Sequence, residues 1–140
     1  MVEVKDAVTG QLIRAEKFRN LVVNTGLNLL RDMIGADTRK APTHLWIGTN
    51  ATAVAAGDTA ATITAPFKKE ITARVPASFN ISLQTFIGTT EANGVTYKEA
   101  GLVNSRGSID TLFSRVRITD IVKTSSVTVT FTWTITVAAA

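Results

Sequence analysis

The clearest pattern in the sequence is a strict alternation of apolar and polar residues near its C-terminal end. The apolar positions are Val127, Val129, Phe131, Trp133, Ile135 and Val137, and Ser126, Thr128, Thr130, Thr132, Thr134 and Thr136 alternate with them. A period of two places the odd positions on one face of a β-strand, toward a core, and the even positions on the other. The length of the run and its Val and Thr content predict a long strand at the centre of its sheet.

Shorter segments repeat this alternation between turn signals such as Asn93-Gly94 and residues 104–107. Strands are predicted over residues 44–48, 67–75, 79–83, 95–103 and 111–118, with a hairpin that joins residues 2–5 to 12–18 around Thr9-Gly10. Phe79 is assigned to the core face of its strand. Seven or eight short strands predict a mainly β fold, either a two-sheet β-sandwich or a jelly-roll-like domain.

One short α-helix is predicted at about residues 25–34, between a capping Asn24 or Thr25 and a terminating Gly35. Its apolar stripe should pack on a sheet, because so short a helix is marginal in water alone. The stripe consists of Leu27, Leu30, Met33 and Ile34. Residues 50–65, rich in Ala, Thr and Gly, predict a long loop with room for one turn of helix.

Length and composition fit one domain and exclude several classes of protein. We expect an N-terminal hairpin or arm over residues 1–19 and a single β-sandwich domain over residues 20–140. With 45% hydrophobic and 19% charged residues, the chain is not a disordered one. It contains no cysteine, which excludes disulfides and thiolate metal sites, and one histidine, His44, which makes a Ser-His-Asp triad hard to build.

The remaining candidates for chemistry favour a structural interpretation. The acids Glu91, Glu99, Asp110 and Asp120 lie at turn-like positions and are predicted to be solvated. His44 shares a strand face with Trp46, so a structural imidazole is expected. We therefore predict no catalytic, cofactor-binding or metal-binding residue, and not an enzyme.

The net charge of +4 comes from basic residues interspersed with acids, and the longest apolar stretch is too short for a spanning helix. Neither a nucleic acid nor a membrane is therefore expected as a partner.

Several phrases of the sequence resemble small structural proteins of tailed bacteriophages. The matching phrases are residues 18–32, 47–49, 58–60, 90–102, 111–115, 123–126 and 133–136. The resemblance runs from about Phe18 to Val137. Proteins of this kind are virion components of the capsid-decoration, collar or tail-fibre type.

The resemblance implies a non-enzymatic structural component of a tailed-phage virion, most simply a capsid decoration (cement) or collar protein. Its partners would be other capsid, collar or tail subunits, it would form a homo-oligomer such as a trimer, and it would be found in the virion after assembly in the host cytoplasm. The alternative is a tail-fibre or baseplate module with a host-attachment role. Exposed aromatic side chains would favour that alternative, and Tyr97 is the candidate for one.

Overall fold

The computed structural model describes residues 1–136, including every side chain except that of Thr38. About half of the chain is β-strand, and the strands form two antiparallel five-stranded sheets with one α-helix. The elements, in order, are β1 (Val2–Asp6), β2 (Leu12–Glu16), β3 (Leu21–Val22), α1 (Asn24–Ile34), β4 (His44–Gly48), β5 (Phe67–Glu70), β6 (Ala73–Ala77), β7 (Asn80–Ile87), β8 (Val95–Asn104), β9 (Thr111–Lys123) and β10 (Val127–Thr136). The predicted class, a mainly β protein with two sheets and one short helix, is confirmed.

The chain divides into two compact units, each built around one sheet. One unit combines Met1–Lys17, Ile71–Gly94 and the described residues from Lys123 onward, and its sheet has the strand order β2-β1-β10-β7-β6. The other unit combines Phe18–Glu70 with Val95–Val122, and its sheet has the order β3-β9-β8-β4-β5. Both units are therefore discontinuous in sequence.

Strand β10 lies at the centre of the first sheet, as its alternation predicts. It pairs with β1 on one side and β7 on the other, with Phe131 opposite Val2 and Trp133 opposite Leu83. Val129 is buried together with Phe131 and Trp133, and the threonines between them are half-buried or exposed. The predicted register is thus confirmed for the described part of the strand. Val137, which the same alternation assigns to the core, lies outside the described residues.

The N-terminal hairpin forms as predicted, and its strands belong to the first sheet. Strand β1 pairs along its whole length with β10, and β2 pairs with β1 at the edge of the same sheet. The cause is visible in the side chains of β1, because Val2 and Val4 are buried and extend the apolar face of β10. The hairpin therefore completes the first sheet.

The single strand predicted over residues 67–75 is two strands, one in each sheet. β5 pairs with β4, whereas β6 pairs with β7 in a tight hairpin whose last pair is Ala77 with Asn80. That pairing leaves Ser78 and Phe79 as the turn, and Phe79 is 76% exposed. The assignment of Phe79 to the core is wrong, because a turn residue cannot follow the alternation of the strand beside it.

The second unit has a core of Val23, Trp46, Ile63, Val103 and Leu112. Its long strand β9 is buried on both faces from Leu112 to Val116, whereas the sequence predicted one polar face. The polar face is covered because the loop over residues 50–65, which contains a short 3₁₀ turn at Ala60–Thr62, contacts Arg115 of β9. This loop and β9 form the site described below.

Helix α1 occupies the predicted position, but it buries a different face. The predicted cap at Asn24 or Thr25 is wrong, because Val23 is the N-cap residue and no side chain caps the helix. Gly26 and Leu29 are buried, whereas Leu27 is 53%, Leu30 41% and Ile34 80% exposed. A Cβ atom at Gly26 would lie 1.9 Å from the carbonyl oxygen of Phe113, so the glycine allows the helix backbone to contact β9 directly. In the described part of the chain no helix is long and apolar enough to cross a bilayer.

Candidate functional site

A fully buried arginine lies at the centre of the second unit. Arg115 of β9 and Glu99 of the neighbouring strand β8 are both 0% exposed. The Arg115 Nε donates to Glu99 Oε2 at 2.8 Å, and its Nη1 donates to Asp58 Oδ2 at 2.9 Å. We refer to Asp58, Glu99 and Arg115 as the buried ion-pair cluster. Such pairs must recover a large desolvation cost through good geometry and additional hydrogen bonds.

The guanidinium of Arg115 has an acceptor for each of its five N–H groups. Besides the two carboxylates, Nη1 donates to the carbonyl oxygen of Ala53 at 3.3 Å. Nη2 donates to the carbonyl oxygen and to Oγ1 of Thr52, at 3.2 and 3.3 Å. Burial acts to lower the pKa of Arg115, but the hydrogen bonds and charges of Asp58 and Glu99 outweigh it, so the pKa lies above its usual value.

The two carboxylates also bind backbone amides of the loop. Glu99 Oε1 accepts hydrogen bonds from the N–H groups of Asn50, at 2.9 Å, and Thr64, at 3.2 Å. Asp58 Oδ2 accepts one from the N–H group of Ala55 at 2.9 Å. The cluster therefore holds the loop near both of its ends and in its middle. Each of the two acids accepts hydrogen bonds both from Arg115 and from backbone amides of the loop.

A glycine in the adjacent strand gives Glu99 the space it occupies. Gly48 of β4 lies opposite Glu99 of β8 in the strand register. A Cβ atom at Gly48 would lie 2.4 Å from Glu99 Oε1 and 2.6 Å from the carbonyl oxygen of Thr64. Because both distances are far below van der Waals contact, any side chain at this position would displace the carboxylate or the loop.

Chemically, this arrangement is saturated. Every donor of the guanidinium is used by an atom of the protein itself, which leaves none for the oxygen of a substrate. Arg117, two residues further along β9, likewise donates to carbonyl oxygens of Asn50 and Lys98. The arrangement can fix residues 50–65 against the second sheet, and it has the properties of a structural centre.

The structure separates the four acids that the sequence singled out. Glu99 belongs to the buried ion-pair cluster, so its assignment as a solvated turn residue is wrong. Asp110 and Asp120 are substantially exposed and lie 3.9 Å from Lys68 and Lys98 respectively, as surface ion pairs. Glu91 lies in the turn between β7 and β8, where its Oε2 accepts a hydrogen bond from the N–H group of Gly88 at 2.8 Å.

The ring residues occupy structural positions. His44 is half-buried, and its Nδ1 lies 2.8 Å from Oγ1 of Thr43. Trp46 is buried, with the Nζ atom of Lys68 3.7 Å from its ring centroid, a cation–π contact. Tyr97 is buried as well, and burial raises the pKa of its phenol. The expectation of an exposed Tyr97 is therefore wrong.

An open cleft lies on the surface of the second unit and has a volume of about 230 Å³. Its charged lining residues are Asp37, Arg39, Lys40 and Arg106. Asp37 lies 3.5 Å from Nε of its neighbour Arg39, so the lining carries an excess of positive charge. We call this the basic cleft. Its chemistry suits an anionic group.

The exposed side of α1 is a second surface feature of this unit. Leu27, Leu30 and Ile34 follow one another at helical spacing and leave a continuous apolar strip in contact with water. We call these three residues the apolar helix face. Exposed apolar patches are typical of surfaces that contact another protein.

Sequence reasoning missed Arg115 and Asp58, and misassigned Glu99. The signal that was available is the mid-strand position of Glu99 and Arg115 among residues that are otherwise apolar. No protein family, curated protein or solved structure matches this chain. Among the described residues, no group of three or more His, Asp or Glu side chains is arranged to hold a metal ion.

Proposed function

We propose that this protein is a non-enzymatic structural component of a tailed-bacteriophage virion, a capsid decoration (cement) or collar subunit that acts as a homo-oligomer. The sequence resemblance between about Phe18 and Val137 supplies the phage context. The observation that carries the structural role is the saturated ion-pair cluster. In this cluster, buried charges hold the loop over residues 50–65 in one conformation. A subunit that is repeated many times in a particle needs such a fixed loop, because every copy must present the same surface.

The apolar helix face supports a role in assembly. A monomer that worked alone in water would gain by burying Leu27, Leu30 and Ile34, because each buried apolar side chain contributes about 1.5–3 kcal/mol. The close approach of Gly26 to β9 keeps these residues outside instead. A neighbouring virion protein that covers them would recover this free energy on assembly.

Particle binding tests the proposal directly. Purified protein is added to phage particles that lack their own copy, and the bound fraction is measured after sedimentation. The triple variant Leu27→Gln, Leu30→Gln, Ile34→Gln should fold normally and bind at least about tenfold more weakly, since losing 1.4 kcal/mol changes an affinity tenfold. The matched control is Val122→Gln, which alters an apolar residue of β9 that is 65% exposed. Wild-type protein that does not bind such particles would contradict the proposal.

The alternative, a tail-fibre or baseplate module with a host-attachment role, is favoured by two observations, the basic cleft and the exposed aromatic ring of Phe79 in the turn between β6 and β7. Arg39, Lys40 and Arg106 could contact an acidic polymer of a cell surface. Electron microscopy of intact particles discriminates between the two roles. Many copies arranged around capsid subunits support decoration, whereas a few copies at the tail support attachment.

The non-enzymatic part of the proposal has its own test. His44→Gln should leave the fold and particle binding intact, with at most a small loss of stability. A hydrolytic activity of the wild-type protein that disappears in this folded variant would overturn it.

A further inference from the structure

Four strands form the edges of the two sheets, and three of them carry features that oppose further strand pairing. Pro76 lies in β6, Lys68 and Lys69 lie in β5, and β3 is only two residues long. Proline, lysine and short length are the usual means by which proteins block an edge. Strand β2 has neither proline nor lysine, and it exposes Leu12 by 50% and Ile13 by 59%. Its pairing with β1 shifts register at Ile13, so its regular edge runs from Arg14 to Glu16.

The hydrogen bonds of β1 determine which backbone groups β2 presents outward. Met1 exchanges both backbone hydrogen bonds with Thr132, and the N–H group of Ala7 donates to Ser126, so the odd residues of β1 face β10. Hydrogen bonding alternates along an antiparallel strand, and the even residues of β1 therefore face β2.

The register then assigns the residues of β2. Val4 lies opposite Arg14 and Val2 opposite Glu16, so Arg14 and Glu16 direct their backbone groups inward. By the same alternation, the N–H and C=O groups of Ala15, between these two residues in the regular part of β2, point to the open edge of the sheet.

A second copy of β2 could pair with this edge around a two-fold axis, and the charges select the register. An axis through Arg14 would place the two copies of Arg14 opposite each other. An axis through Glu16 would place the two copies of Glu16 opposite each other. An axis through Ala15 instead places Arg14 of each copy opposite Glu16 of the other, twice. Opposite charges across a strand pair stabilise it, and like charges destabilise it.

We propose that β2 is a self-complementary interface, which joins two copies of this chain into one continuous sheet around a two-fold axis at Ala15. In this arrangement Ala15 forms a hydrogen-bonded pair with its counterpart. Arg14 and Glu16 already lie 3.6 Å apart within one chain and are 31% exposed, so both are placed to make the same contact across the axis. The proposal deepens the proposed function by naming one contact between copies.

The absence of cysteine from the sequence permits a direct test by single-cysteine cross-linking. Across the proposed axis the two Cα atoms of residue 15 lie about 5.5 Å apart, within the range a disulfide spans. The two copies of residue 13 lie on opposite sides of the axis and more than about 10 Å apart, which a disulfide cannot bridge.

With oxidised glutathione as the oxidant, Ala15→Cys should form covalent dimers about tenfold faster than Ile13→Cys or Lys17→Cys, because pairing raises the effective thiol concentration. Val8→Cys is the control for random collision, since Val8 is 93% exposed at the tip of the hairpin. Faster cross-linking at residue 13 or 17 would overturn the register. Equal, slow cross-linking at all four positions in concentrated protein would overturn the interface.

Charge reversal provides an independent measurement by sedimentation equilibrium. Arg14→Glu and Glu16→Arg each place like charges opposite each other twice and should raise the dimer Kd about tenfold. The double variant restores both pairs and should return the Kd to the wild-type value, whereas a double variant as weak as the single ones would contradict the pairing.

Failure of this interface can be distinguished from failure of the proposed function. A chain that binds particles but shows no preference at residue 15 overturns this interface alone. A chain that pairs through Ala15 but does not bind particles supports the interface and removes the virion role.

Discussion

Replacing Arg115 by methionine would test whether the buried ion-pair cluster stabilises the fold in the way its geometry indicates. Methionine retains much of the apolar length of the side chain but removes all five N–H donors. Glu99 Oε2 and Asp58 Oδ2 then lose their cation inside the protein, although Glu99 Oε1 keeps the amides of Asn50 and Thr64. The loss of one partner leaves buried charge without compensation.

The expected loss in the free energy of unfolding is about 3–5 kcal/mol, which is typical when a buried ion pair loses one partner. Domains have total stabilities of only about 5–15 kcal/mol, so the variant should unfold at a much lower urea concentration. Arg117→Met is the matched control, because Arg117 is half-buried on the same strand and donates to carbonyl oxygens. The control should cost about 1 kcal/mol.

Equilibrium urea unfolding measures both variants, and hydrogen exchange reports on the loop. Amides of residues 50–65 should exchange faster in Arg115→Met than in the wild type. Combining Arg115→Met with Glu99→Gln should cost less than the sum of the two single changes by about 1–3 kcal/mol, because the pair is coupled. A loss below 1 kcal/mol for Arg115→Met, or strict additivity in the double variant, would refute the reasoning.

Three further predictions concern the sheet, the helix and the titration of a buried lysine. Trp133→Ala should cost about 3–5 kcal/mol and Thr132→Ala about 1 kcal/mol or less by urea unfolding, because they lie on opposite faces of β10; similar losses would contradict the register. Gly26→Ala should cost about 3 kcal/mol, since its Cβ meets the backbone of β9, whereas Gly57→Ala has open space and should be near neutral in the same assay. Burial, partly offset by a nearby acid, lowers the pKa of Lys123 below its usual 10.5, so the unfolded chain holds this proton to higher pH than the folded one. The free energy of unfolding should therefore rise with pH just below 10.5, and unfolding curves of Lys123→Met should lack this rise.

The parts of the fold that follow local periodicity could be predicted from the sequence. Strand β10 has one buried face, and its alternating residues therefore give its position, its register and its central place. The turn at Asn93-Gly94 and the position of α1 were also predictable, because turn residues and the terminating Gly35 act over a few positions. The hairpin was predictable as an element for the same reason.

The remainder depends on contacts between residues that are distant in sequence. The buried face of α1 is decided by the close approach of Gly26 to β9, which outweighs the larger apolar surface of Leu27, Leu30 and Ile34. Glu99 and Arg115 lie on different strands, and the acid that completes their cluster comes from a loop. From one sequence, a charged residue is predicted to be exposed to solvent unless its partner is known. The buried ion-pair cluster could therefore not be predicted.

The placement of β10 between β1 and β7 also determines when the first sheet can form during synthesis. Met1 and Thr132, which are hydrogen-bonded, are 131 positions apart in the sequence. A ribosome releases β1, β2, β6 and β7 well before β10, so until then the two hairpins have no strand between them. Closing such a long loop is slow, and unpaired strand edges can associate with other chains in the meantime. The yield of folded protein should therefore depend on how long the growing chain waits for β10.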